Sequence, residues 1–177
     1  MSFRSRHSRL FAPAAVLASA ILLANGSVAQ EAGNGTGLPL PRFVSLKSDD
    51  VNVRRGPGQE YEIAFTYVKA GLPVEITQEF DNWRKIRDSE GAEGWVFHSL
   101  LSGKRTALVA PWDKSGPFPA YASADTSSGV VAYLEPKVIA DVVECTGAWC
   151  EITVKGYEGW IQQERLWGVY PDEQFEE

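Results

Sequence analysis

The chain has 177 residues, 44% of them apolar, and a formal net charge of −6. A surface of that sign repels phosphate backbones, which excludes nucleic acid as a natural partner and disfavours docking on anionic lipid. Two cysteines with no histidine nearby exclude a zinc cluster of the usual spacing.

Arg4, Arg6 and Arg9 precede an apolar run from Leu10 to Ala24, and Ser27-Val28-Ala29 then places small residues at a cleavage site. This three-part layout predicts a secretory signal peptide over residues 1–29. The apolar run, interrupted by Pro13, is shorter than the roughly 20 residues a spanning helix needs. No adjacent arginine pair precedes it and no cysteine follows it. The expectation is a Sec-type signal, export to the periplasm or beyond, and no integral membrane segment after cleavage. Cleavage would remove three basic residues and no acid, taking the charge to −9. Residues 30–41, rich in Gly and Pro, read as a flexible leader.

Beyond the leader the chain overlays on itself. Leu72-Pro73-Val74-Glu75-Ile76 matches Val138-Ile139-Ala140-Asp141-Val142, and Trp83-Arg84-Lys85-Ile86 matches Trp149-Cys150-Glu151-Ile152, both at an offset of 66. Glu93-Gly94-Trp95-Val96 matches Glu158-Gly159-Trp160-Ile161 at an offset of 65. Tryptophan falls on tryptophan twice, which predicts two copies of one fold. Val51-Asn52-Val53-Arg54 alternates as a half-buried strand does, and turn signals recur every eight to twelve residues. The prediction is all-β: two tandem small barrels, over residues 42–109 and 110–170, followed by a solvated acidic tail, 171–177. Phe97–Leu100 and Gln162–Arg165 each fit one short helical turn. Trp95 and Trp160 are expected to complete the barrel cores.

With Gly147-Ala148 as a two-residue type II′ turn, Cys145 faces Cys150 at a non-hydrogen-bonded position, close enough for a disulfide. The first copy holds Glu79 and Arg84 at those two places, so an exposed ion pair is expected where the second copy has a covalent bond. Alternation from Ile152 turns Cys150 inward and Trp149 to the other face, and Trp83 stands likewise to Ile86.

Val51-Asn52-Val53-Arg54-Arg55-Gly56-Pro57-Gly58, with Gly71, Val74, Trp83, Ile86 and the closing Gly94-Trp95-Val96, resembles the bacterial SH3-like domain. The stretch from Phe43 to Val109 is similar to an exported alphaproteobacterial subfamily. The second copy keeps the late part of the pattern, but its opening, Phe118-Pro119-Ala120-Tyr121, lacks the Arg and the Gly-Pro. The resemblance implies SH3-like β-barrels linked to cell-wall or envelope proteins.

Arg54, Arg55 and Tyr61 of the opening loop, with Trp83 and Trp149, form the candidate ligand groove, since aromatic and Arg side chains are favoured anchors. No catalytic, cofactor-binding or metal-ligating residue is assigned. The expected function is a non-catalytic binding module for peptidoglycan or a cell-envelope protein. One alternative is a protein–protein adaptor reading extended or Pro-rich segments. The other is a cell-wall hydrolase, which needs a Cys-His or metal-His set. Here the cysteines pair with each other, and His98 is the one histidine left after cleavage.

Overall fold

The structure, a computed structural model, describes residues 35–176; the predicted signal peptide and residues 30–34 of the leader lie outside the described residues. Seven strands, β1 (Arg42–Leu46), β2 (Val51–Arg54), β3 (Ile63–Tyr67), β4 (Pro73–Phe80), β5 (Trp83–Arg87), β6 (Glu93–Phe97) and β7 (Leu101–Ser102), make the first sheet. Their order across it is β3-β2-β6-β5-β4-β1-β7. Eight more follow: β8 (Thr106–Val109), β9 (Phe118–Tyr121), β10 (Val130–Leu134), β11 (Ile139–Thr146), β12 (Trp149–Val154), β13 (Tyr157–Gln162), β14 (Leu166–Trp167) and β15 (Gln174–Glu176). The second order, β10-β9-β13-β12-β11-β8-β14, is the first with seven added to every label, and β15 pairs with β11 as an addition. The 3₁₀ turns His98–Leu100 and Gln163–Arg165 fall within the two phrases expected to make them.

Each sheet closes on its own core. Leu46, Val51, Val53, Val74, Ile76, Ile86 and Val96 fill the first, and none of them belongs to the second cluster. Ile152, Ile161, Val142 and Val109, all at or near zero exposure, anchor the second. Burying each such side chain contributes about 1.5–3 kcal/mol before chain entropy is set against it. Trp95 and Trp160 are not core residues, contrary to expectation. On β6 and β13 the inward positions go to Val96 and Ile161, and strand alternation leaves both tryptophans half-buried on the other face.

Gly94 and Gly159 explain the rest of that closing motif. A Cβ at Gly94 would stand 2.4 Å from Val53 Cγ1 and 2.9 Å from the Arg54 carbonyl oxygen. One at Gly159 would stand 2.7 Å from Val131 Cγ2 and 3.1 Å from the Tyr121 oxygen. Only a residue without a side chain lets the neighbouring strand approach so closely.

Three sequence boundaries need correction. β8, assigned by its sequence position to the first domain, pairs with β11 and β14 in the second sheet. It takes the place β1 holds in the first sheet, and all four of its residues are buried. The first barrel therefore ends at Ser102. The tail is not a free acidic end, because Phe175 packs on the second core and Arg105 lies over its ring at 4.6 Å while pairing with Glu173. The described part of the leader is tied down as well: the Thr36 hydroxyl donates to Glu79 at 2.9 Å.

The hairpin staples are built alike. Register shifts at Thr77 on β4 and at Val143 on β11, the same place in each copy, and the extra residue reverses which side chains face in. Glu79 and Cys145 consequently point inward, where alternation from Ile76 or Val142 alone would put them outside. Cys145 and Cys150 pair in register with Cα atoms 4.1 Å apart and form the expected disulfide. Gly147 has φ +96° and Ala148 does not enter the left-handed region, as a type II′ turn requires. Glu79 meets Arg84 at 3.1 Å, but the pair is not exposed: the side chains keep 5% and 8% of their surface, and Arg42 closes on the same carboxylate.

The two barrels share a small contact. Phe43 packs against Trp167 and Tyr170 at centroid distances of 5.2 and 4.7 Å. The Tyr170 hydroxyl donates to Glu75 at 2.9 Å, and Thr106 Oγ1 donates to the Gly71 carbonyl at 2.8 Å. Burial and the Glu75 carboxylate beside it push the Tyr170 phenol well above its ordinary value, so it stays a donor.

Candidate functional site

The opening loop of the first barrel is held by its own arginine. Arg54, at the end of β2, donates from Nη1 to the carbonyls of Gln59 at 3.0 Å and Tyr61 at 2.6 Å. The Tyr61 ring lies directly over Gly56, where any Cβ would stand 2.4 Å from the ring. Arg55 extends into solvent 3.7 Å from Glu62, with 70% of its side chain exposed. A guanidinium spent on two backbone carbonyls makes Arg54 a loop brace before it is a ligand anchor.

Arg54 and Trp83 do share a depression of about 220 Å³, together with Asn52, Gln59 and Phe97. Trp83 is only 9% exposed and packs edge-on against Phe97 at 5.5 Å. Of the five candidate groove residues, the fold brings these two to one depression. Arg55 and Tyr61 stay on the loop outside its lining, and Trp149 belongs to the other barrel, so the group does not form one groove.

A larger cavity, about 780 Å³, opens where the barrels meet. Its first-barrel wall is Phe43, Glu75 and Arg87; the second barrel contributes Trp112, Trp149, Trp167 and Tyr170 among others. Glu75, 3% exposed, is neutralised by Arg87, whose Nε donates to it at 3.0 Å, and it accepts a further hydrogen bond from the Tyr170 hydroxyl. Gln163 is buried and donates to the Glu173 carbonyl at 2.8 Å. Glu173 also accepts from Arg105 and from the Tyr170 amide. Burial alone would raise its carboxyl, but these donors outweigh it and hold the group below the ordinary range.

Sequence reasoning missed this cavity, although one signal was available. Of the six tryptophans the repeat accounts for 83, 95, 149 and 160. Trp112 and Trp167 have no partner in the first copy, and both line the cavity.

Cys145 and Cys150 are joined, so neither thiol is free. Among the described residues no group of three His, Cys, Asp or Glu is placed to hold a metal, and no helix is long and apolar enough to cross a membrane.

These features define a pair of SH3-like barrels, and comparison with known families agrees: the family model for the bacterial SH3 domain matches residues 47–103 and 114–168. The chain belongs to that family. A protein of Bacillus subtilis (strain 168), "Putative N-acetylmuramoyl-L-alanine amidase YrvJ", is 28% identical over 129 residues. That match covers 67% of this chain, which spans about a quarter (24%) of the relative's length. Two solved structures, NlpC2 and NlpC1 from Trichomonas vaginalis, overlap 72% and 76% of this chain and 48% of their own, at 12% identity and TM-scores of 0.32 and 0.31.

Proposed function

We propose that the protein is an exported, non-catalytic module that binds peptidoglycan in the bacterial cell envelope. The observation that carries this reading is the pair of like-ordered barrels, each matched by the bacterial SH3 family model. The similarity to a protein named as an N-acetylmuramoyl-L-alanine amidase supports the wall as the setting. The signal-peptide layout of residues 1–29 supports export. The disulfide supports both an oxidising compartment and a non-catalytic role, because it removes the two thiols that a Cys-His hydrolase would need.

Co-sedimentation with purified sacculi tests the reading. The protein is expected to pellet with sacculi, to stay in solution without them, and to release no soluble wall fragments. Equal recovery in the supernatant with and without sacculi refutes wall binding, and steady release of fragments refutes the non-catalytic part.

A further inference from the structure

The features that the second barrel has and the first lacks meet at one place. The disulfide sits immediately behind Trp149 and the hairpin tip Gly147-Ala148, and both Trp149 and the tip line the inter-barrel cavity. β15 and the Arg105–Glu173 pair hold the segment from Tyr170 to Asp172, which lines it too. Trp112 and Trp167 complete the aromatic surface. Trp112 leaves 57% of its area exposed, a large apolar face that water solvates poorly and a ligand would cover.

We infer that this cleft is a glycan-binding site that takes a neutral chain of N-acetylated sugars; the inference rests on the wall-binding reading and gives it a location away from the opening loop. Flat aromatic faces suit the C–H face of a sugar ring. Beside them lie polar groups able to meet its hydroxyl and amide edge. Gln162 makes no side-chain hydrogen bond among the described residues, and Glu164 is 72% exposed, with only a loose contact to Arg165 at 3.8 Å. The charge of the site argues against an anionic ligand. Arg87 is committed to Glu75, which leaves Glu164 and Asp172 as surplus negative charge. A ligand bearing carboxylates is repelled there, so the wall's peptide stems fit less well than its uncharged sugars. A lone ammonium is the competing ligand, because a single ring within about 6 Å suffices to attract it, and tetralysine is the probe that separates the two. A cavity of about 780 Å³ has the capacity of a site for an extended organic ligand.

Calorimetric titration of the purified protein with chitotetraose, alongside tetralysine, tests the inference. Chitotetraose is expected to bind saturably, and Trp112→Ala to weaken it at least tenfold; this side chain is exposed and its loss spares the fold. Trp149→Ala should weaken it similarly, whereas Tyr133→Ala, an exposed aromatic on β10 outside the cleft, should leave it within twofold. Sacculus binding retained without chitotetraose binding, or undiminished in Trp112→Ala, overturns the glycan cleft and leaves wall binding standing. Tighter binding of tetralysine than of chitotetraose also overturns it. Loss of sacculus binding by the unaltered protein removes the wall reading itself.

Discussion

The same hairpin position is stapled by charge in one barrel and by a covalent bond in the other. In the first, Glu79 on β4 bridges Arg84 and Arg42 in a buried cluster that also gathers Thr36. In the second, Cys145 and Cys150 close the equivalent turn. A bulge at the same register in both copies turns these positions inward. The difference teaches that the same place in the fold can be tied by unlike chemistry. It also shows where the copies have parted. The first barrel spends its arginines on holding the leader and the opening loop, whereas the second fixes a tryptophan at the mouth of a cleft.

The comparison can be broken most forcefully at Glu79. Replacing it with alanine strands two arginines with little solvent, and breaking a buried pair of this kind costs about 3 kcal/mol. Urea unfolding followed through the first barrel reads the loss. Its pH dependence carries the same message. Burial raises the Glu79 carboxyl, but hydrogen bonds from Arg42 and Thr36 outweigh it and bring the group below its ordinary 4.5. A depressed folded value means that the contribution is complete above the unfolded value and is lost as pH falls through the folded one. Wild type should therefore lose stability below about pH 4.5 more steeply than Glu79→Ala.

Next in size is the disulfide. Replacing both cysteines with alanine removes a short closed loop, and the chain-entropy estimate gives a loss of about 2 kcal/mol, centred on the second barrel. Equal loss in both barrels, read by amide exchange at core positions, would mean that the two units are not separately stapled.

Tyr170→Phe tests the junction. It deletes a hydrogen bond to a buried carboxylate, worth about 1.5 kcal/mol, and leaves Arg87 on Glu75. The expected result is a lower denaturation midpoint and earlier separation of the two unfolding transitions.

The smallest effect compares the paired glycines. Gly94→Ala should cost about 1 kcal/mol more than Gly159→Ala, because overpacking against the fully buried Val53 and the Arg54 carbonyl finds no room to relax. At Gly159 the tightest contact is Val131, which is 42% exposed and free to shift, and the Tyr121 carbonyl oxygen stands at 3.1 Å against 2.9 Å for the Arg54 oxygen at Gly94. Equal midpoints for the two variants would show that the closing motif is not tighter in the first barrel.

Much of this architecture is legible in the residues. The tandem repeat, the disulfide, its type II′ turn and the short helical turns follow from spacing and turn chemistry. What escaped reading lay where local pattern and tertiary role diverge. Thr106-Ala107-Leu108-Val109 is a plausible strand for either barrel, and only its pairing with β11 assigns it to the second. Phe175 is one apolar residue in an acidic tail, and it packs on the second core beneath Arg105, seventy positions earlier. Glu79 looked exposed because a bulge, invisible to simple alternation, reverses the face. Among the candidate site residues, only Arg54 and Trp83 line one depression. The arginine's bonds to Gln59 and Tyr61 are backbone contacts that no side-chain pattern reveals. Trp112 and Trp167 could have been singled out as the tryptophans the repeat leaves over.

The most direct test of the whole account is an amide and indole NMR titration of the protein with soluble sacculus fragments. Shifts should concentrate on the Trp112, Trp149 and Trp167 indoles and on Gly147 and Tyr170, with the Arg54–Tyr61 loop unmoved. Perturbations confined to that loop and Trp83, or none at saturating fragment, would contradict it.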